Sequence, residues 1–287
     1  MKGIIAALLC SFDKSGKVNE EGIKKLVRFN IENGVDGLYV NGSTGENFML
    51  STEEKKLVFK VVKEEAGNEI PLIAQIGSLN INEAIELGKY ATELGYDYLS
   101  AVTPFYYKFS FDEIKDYYNT ILEEVDNKMI IYSVPILTGS DISLENFKEL
   151  FENPKIVGVK FTQSDFYLLE RLRSSFPNKM IFSGFDEMLL PAATLGIDGA
   201  IGSTFNINAK RAKGIIENLK SGNLEKAKIL QKETNDFIQE VLSNGLYQTL
   251  KLILEEKGIP MGECRRPMRA FTETIRKNAK EISRKYF

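Results

Sequence analysis

Apolar residues recur along this chain in short runs at a regular interval. The runs fall at 3–12, 35–40, 71–77, 97–104, 129–135, 156–162, 180–185 and 198–205, eight in all. Each is nearly continuous rather than alternating, the pattern of strands buried on both faces of a parallel sheet. Between and after them lie amphipathic stretches of helical length, at 19–33, 51–66, 80–94, 110–126, 143–153, 164–176, 186–195 and 208–221. Several carry helix punctuation. Ser51-Thr52-Glu53-Glu54 has the capping-box pattern, and Asn80 and Ser110 stand where N-caps belong. Gly34, Gly67 and Gly95 fall where helices stop. Eight βα units in series predict an α/β fold, a (β/α)8 TIM barrel, because eight parallel strands close into a barrel. A doubly wound open sheet would need a glycine-rich phosphate fingerprint after its first strand. The chain has Ser11-Phe12-Asp13-Lys14-Ser15-Gly16 there instead. Beyond about residue 222 the alternation ends, and 223–243, 246–257 and 267–286 read as helices with no strand between them. The expected organisation is a catalytic barrel over 1–222 with a C-terminal helical extension over 223–287.

One residue breaks the apolar pattern. Lys160 lies inside Ile156-Val157-Gly158-Val159-Lys160-Phe161-Thr162, which otherwise reads as a buried strand. A lysine in such a place reaches a buried carboxylate, snorkels to the strand end, or serves as an amine nucleophile. Desolvation disfavours the ammonium form of a buried lysine in general, and a free amine attacks a ketone to form a Schiff base.

Composition narrows the chemistry. The 287 residues are 43% hydrophobic and 27% charged, ordinary for a globular protein. The net charge of −3 makes no electrostatic case for nucleic acid. Cys10 and Cys264 are too few and too far apart for a disulfide framework or a zinc motif. There is no histidine, so Ser-His-Asp and Cys-His catalysis and His-ligated metal sites are excluded. Acid–base work falls to Tyr, Lys, Asp, Glu or water. The apolar N-terminal run Gly3–Cys10 is too short to span a membrane and is not followed by a small-residue cleavage pattern. It reads as a buried first strand, with a cytoplasmic location as the default.

In a barrel of this kind reactive groups gather where strands end. Those positions hold Gly42-Ser43-Thr44-Gly45-Glu46, Thr103-Pro104-Phe105-Tyr106-Tyr107, Tyr132-Ser133-Val134-Pro135, Lys160-Phe161-Thr162, Gly184-Phe185-Asp186-Glu187 and Gly202-Ser203-Thr204-Phe205-Asn206. Gly42–Gly45 reads either as a loop whose N–H groups converge on an anion or as a turn whose hydroxyls cap the next helix. Tyr132 either fills the barrel or relays protons. Asp186 and Glu187 either favour a helix start or bind hydroxyls. Gly202-Ser203-Thr204 could cradle a phosphate, but no basic residue follows until Lys210.

Taken together, Gly42-Ser43-Thr44-Gly45-Glu46, Tyr132-Ser133-Val134-Pro135 and Gly158-Val159-Lys160-Phe161-Thr162 resemble the dihydrodipicolinate synthase/N-acetylneuraminate lyase superfamily of pyruvate-handling barrels, over essentially the whole chain. Within it the details resemble the lyase branch. Ser43 stands where the synthases usually carry threonine. Leu137 stands where they place an arginine for a second carboxylate. Gly184-Phe185-Asp186-Glu187 is similar to the lyase's Gly-Tyr-Asp-Glu, with Phe185 a departure that removes one hydroxyl. The resemblance implies that Lys160 forms the Schiff base and Tyr132 moves protons. It implies that Ser43 and Thr44 hold the keto-acid carboxylate, and that Thr162, Gly184, Asp186, Glu187 and Ser203 contact the sugar-derived part. Tyr106 resembles a tyrosine sent into a neighbouring subunit's site, which implies a homotetramer. The implied reaction is reversible cleavage of N-acetylneuraminate to N-acetylmannosamine and pyruvate, with no metal or organic cofactor and no membrane or nucleic-acid partner. The rivals are a 2-keto-3-deoxy sugar acid aldolase or a dihydrodipicolinate synthase of the same superfamily and, from another class, an inactive barrel that binds a 2-keto acid.

Overall fold

The structure, a computed structural model, describes residues 1–287. Eight parallel strands close into a barrel: β1 (Gly3–Ala7), β2 (Gly37–Val40), β3 (Leu72–Gln75), β4 (Tyr98–Val102), β5 (Met129–Ser133), β6 (Ile156–Phe161), β7 (Met180–Ser183) and β8 (Gly199–Gly202). β8 returns to β1, with Ile201 opposite Ile5. Each strand is apolar on both faces because each face meets a different core. Ile5, Ala7, Tyr39, Ile73, Val102, Ile130, Tyr132, Phe182 and Ile201 pack inside the barrel. Ile4, Ala6, Leu38, Val40, Leu72, Ala74, Ile131, Val159 and Ile181 pack outward under the helices. Alternation is present, but it separates two dry environments, so it does not appear as a hydrophobic–polar pattern.

The strand register matters most at β5–β6. Met129 pairs with Ile156 and Ile130 with Gly158, so Val157 is an extra residue in β6. Beyond this irregularity Tyr132 is paired with Lys160.

The helices start where the sequence indicates. Ser51 accepts from Glu54 N while Glu54 accepts from Ser51 N, and Ser110 and Glu113 repeat the reciprocal pair. The Asn80 side chain accepts from Asn82 N. Gly34 and Gly95 take φ of 79° and 81°, the left-handed conformation that ends a helix. After the eighth unit, helix Phe205–Lys220 packs on helix Leu224–Asn244, and helix Leu246–Glu256 packs on helix Glu273–Tyr286.

Several boundaries differ from the expected ones. Leu8–Cys10, Thr103, Pro104, Val134 and Thr204 were expected in strands; they leave the ladder yet remain buried, since the loops at this end turn inward over the barrel. The helix expected at 208 begins at Phe205. The last helix begins at Glu273 rather than 267, because Thr272 is its N-cap and accepts from Ile275 N. A short helix, Pro135–Thr138, follows β5 where none was expected, with proline at its first position.

Candidate active site

Lys160 stands near the C-terminal end of β6, facing into the barrel and only 5% exposed. Its Nζ lies 3.9 Å from the centre of the Tyr132 ring and 4.4 Å from that of Tyr39. The two rings meet edge to face, 6.0 Å between centres. Tyr39 is fixed by a hydrogen bond of 3.0 Å between its hydroxyl and Ser100 Oγ, on β4. Burial pushes the Tyr39 hydroxyl well above the ordinary tyrosine range, so it keeps its proton and acts as a wall. No salt bridge reaches Lys160; the buried carboxylate of Asp186 acts on it only across the site, without contact. Neither Tyr39 nor Ser100 was singled out from sequence. Their inward register in β2 and β4 was the available signal.

The loop after β2 is a 3₁₀ turn, Ser43–Gly45, closed by Gly45 N donating to Gly42 O and Glu46 N donating to Ser43 O. The N–H groups of Ser43 and Thr44 therefore precede the first bond of the turn and are available to an anion. Thr44 Oγ1 lies 2.7 Å from Ser203 Oγ, which joins this loop to the one after β8. A helix-capping role for the two hydroxyls finds no support, because Ser51 caps the following helix.

Thr162 directly follows β6, and its Oγ1 is buried without a partner. A Cβ on Gly184 would lie 1.9 Å from that oxygen, so glycine there makes room for the threonine. Ser133 Oγ and Thr103 Oγ1, at the ends of β5 and β4, are also buried and unpartnered. Unmet polar groups clustered at one end of a barrel mark a place built to receive a polar ligand.

Asp186 and Glu187 are adjacent in sequence but differ in surroundings. Asp186 is buried, and its Oδ2 accepts from Thr204 N at 2.9 Å and Thr204 Oγ1 at 2.6 Å. Burial pushes its carboxyl up to about 6, against the opposing effect of the Thr204 hydrogen bonds. It packs so closely on Gly202 that a Cβ there would meet Asp186 Oδ1 at 1.6 Å. Glu187 is half-buried, and its carboxylate takes no hydrogen bond or ion pair from the protein.

Tyr106 is 83% exposed, has φ of 74° and stacks edge-on against Tyr107, away from the lysine's rings. Leu137, 66% exposed, borders a cleft of about 310 Å³ together with Ser43, Phe48, Phe105, Val134 and Tyr247. Tyr247 belongs to helix Leu246–Glu256, so the C-terminal helices help to wall the mouth. Sequence reasoning missed it, because helical periodicity says which face is apolar but not which strand end it meets. A larger cleft, about 850 Å³, lies elsewhere, between Phe12–Gly16 and the segment around Arg265 and Arg276. Its lining mixes acids and bases and includes none of the strand-end residues named above.

The Dihydrodipicolinate synthetase family matches residues 1–285. The chain is 60% identical to the N-acetylneuraminate lyase of Clostridium perfringens (strain SM101 / Type A), over the full length of both proteins. Among solved structures it is similar to CdNal from Clostridium difficile in complex with mannosamine, with 62% identity, a TM-score of 0.99, and coverage of 100% of this chain and 99% of that one. It is also similar to the N-acetylneuraminate lyase from Fusobacterium nucleatum complexed with pyruvate, with 58% identity, a TM-score of 0.96, and coverage of 100% and 97%.

Proposed function

Because the chain belongs to the dihydrodipicolinate synthetase family, we propose that it is a Schiff-base aldolase that reversibly cleaves N-acetylneuraminate to N-acetylmannosamine and pyruvate. The observation that carries the mechanism is the buried amine of Lys160, free of any salt bridge and set between the Tyr39 and Tyr132 rings. Identity near 60% over full length to N-acetylneuraminate lyases supports the substrate. Pyruvate in one solved relative is the keto-acid half of such a substrate, and mannosamine in another is the amino sugar of the other half without its acetyl group.

The Lys160 amine attacks C2 of the open-chain 2-keto acid, and the carbinolamine loses water to give an iminium. Ser43 and Thr44 hold the keto-acid carboxylate through their N–H groups and hydroxyls. The C4 hydroxyl gives its proton to a base as the C3–C4 bond breaks. The aldehyde of N-acetylmannosamine leaves, and the bonding electrons pass to the iminium, forming an enamine. Protonation at C3 and hydrolysis release pyruvate and regenerate the amine. Tyr132 is the proton carrier, working through the substrate because its ring face, not its hydroxyl, meets Lys160 Nζ. Thr162, Gly184, Asp186, Glu187 and Ser203 form the region for the hydroxyl-rich end. The exposed Tyr106 and Tyr107 support a homotetramer in which Tyr106 reaches a neighbouring subunit's site. Two buried free thiols, Cys10 and Cys264, both pushed up to about 12 by burial, suit a reducing cytoplasm.

The test is a product assay. Incubation with N-acetylneuraminate should release pyruvate and N-acetylmannosamine in equal amounts. Turnover of a 2-keto-3-deoxy sugar acid or of aspartate semialdehyde, with none of N-acetylneuraminate, would move the assignment to another branch of the family.

A further inference from the structure

Glu46 and Lys251 form an ion pair that is wholly shut off from water. Both side chains are 0% exposed, and Lys251 Nζ donates to Glu46 Oε1 at 2.5 Å across 205 residues of sequence. The other carboxylate oxygen, Oε2, accepts from the backbone N–H of Arg265 at 2.7 Å. Lys251 is completed by the Phe12 ring, 4.4 Å from Nζ to its centre, and by Glu263 O at 3.5 Å. Both oxygens of Glu46 are thus held by the segment after residue 245, and none by the barrel.

The pair acts on a loop that is already constrained. Glu46 has φ of 61° and ψ of 32°, a left-handed conformation uncommon for a residue with a side chain. Its own N–H closes the Ser43–Gly45 turn by donating to Ser43 O. Pulling on the Glu46 carboxylate therefore sets the direction of the Ser43 and Thr44 N–H groups. On the opposite side the loop is tied by the Thr44–Ser203 hydroxyl contact and, at its start, by Gln75 Nε2 donating to Asn41 O.

We propose that Lys251, through Glu46, is a positioning residue for the carboxylate-binding turn, so that the C-terminal helices set the affinity for the keto-acid end of the substrate. This rests on the assignment of Ser43 and Thr44 as the carboxylate site and of Lys160 as the nucleophile. A buried ion pair is costly to desolvate and adds little net stability compared with an apolar pair of the same shape. Removing one partner strands a buried charge, whereas removing both charges does not.

The experiment compares Lys251→Met, Glu46→Gln and the double variant Glu46→Gln/Lys251→Met with the wild type. Each is titrated with pyruvate in the presence of borohydride, and the half-saturating pyruvate concentration, the limiting trapping rate and Tm are measured. Misplacement of the turn should raise half-saturating pyruvate about tenfold or more in each variant, with the limiting rate changed by less than about threefold. Tm should drop in the single variants and largely recover in the double variant, while the pyruvate requirement stays raised. A purely structural pair would behave otherwise, with affinity returning together with Tm. Folded variants that saturate at wild-type pyruvate concentrations would overturn the proposal; if the single variants do not fold, the double variant decides it alone. Absence of trapping at Lys160 in the wild type would instead remove the Schiff-base assignment on which the proposal rests.

Discussion

Lys160 presents its Nζ to the face of the Tyr132 ring, 3.9 Å from its centre, and no hydrogen bond joins it to the phenol oxygen. The two residues are direct partners in the β5–β6 ladder, so the contact follows from strand register. A cation facing a ring is attracted by the ring's quadrupole, which suits both an ammonium and an iminium. Register thus delivers a nucleophile and an aromatic wall together, and leaves the phenol oxygen free for a substrate.

The first prediction concerns Lys160 itself. Pyruvate and borohydride should add one reduced pyruvyl unit, mapped by peptide mass spectrometry to Lys160. Lys160→Ala should abolish both the adduct and cleavage. An adduct on another lysine would refute the assignment.

Tyr132→Phe keeps the ring face and loses the phenol oxygen. The expected result is a kcat lower by about 10²-fold, the usual size of a lost acid–base group, with KM little changed. Pyruvate trapping should persist, because the wall beside Nζ remains. A variant with near-normal kcat would leave Tyr132 as packing only.

Glu187 and Asp186 should separate when tested. The Glu187 carboxylate has no partner within the protein, so Glu187→Gln should leave Tm nearly unchanged. A lost hydrogen bond to a charged group is worth about 1.5–3 kcal/mol, so kcat/KM for N-acetylneuraminate should fall by about tenfold or more. Trapping of pyruvate, which has no polyol, should not change. Loss of trapping together with turnover would make Glu187 structural.

Asp186 predicts a pH dependence of stability. Its carboxyl lies at about 6 in the folded protein, above an ordinary value of 3.8, because it is buried. Below the lower value both states hold the proton, and the group contributes no pH dependence. As pH rises from about 4 to about 6 the unfolded chain gives up its proton first, so the folded state loses stability. The full cost, on the order of 3 kcal/mol, is present above about pH 6. Asp186→Asn should remove this slope, with the Asn carbonyl still able to accept from Thr204. Parallel curves of Tm against pH for wild type and variant would contradict it.

The barrel was legible because strands buried on both faces leave apolar runs, and because Ser51, Ser110 and Asn80 mark helix starts chemically. Lys160 was legible as an exception to its own strand. Strand ends were less so, since Leu8, Thr103 and Val134 are as buried in their loops as they would be in a ladder. What sequence could not supply was partnership at a distance. Nothing near Asp186 announces Thr204, and nothing in the helical pattern around Lys251 points to a glutamate in the second βα loop. Tyr39 belongs with them: its burial could be foreseen from the strand, but not the Ser100 hydroxyl that fixes its orientation.

The Glu46–Lys251 pair also bears on how the molecule comes into being. A ribosome completes all eight strands, the last ending at Gly202, before it reaches Lys251. Until then the Glu46 carboxylate lacks its cation, and burying it unpaired is costly. The turn that faces the keto acid is therefore the part of the site whose last partner is made latest, by helices that also complete the core around the barrel.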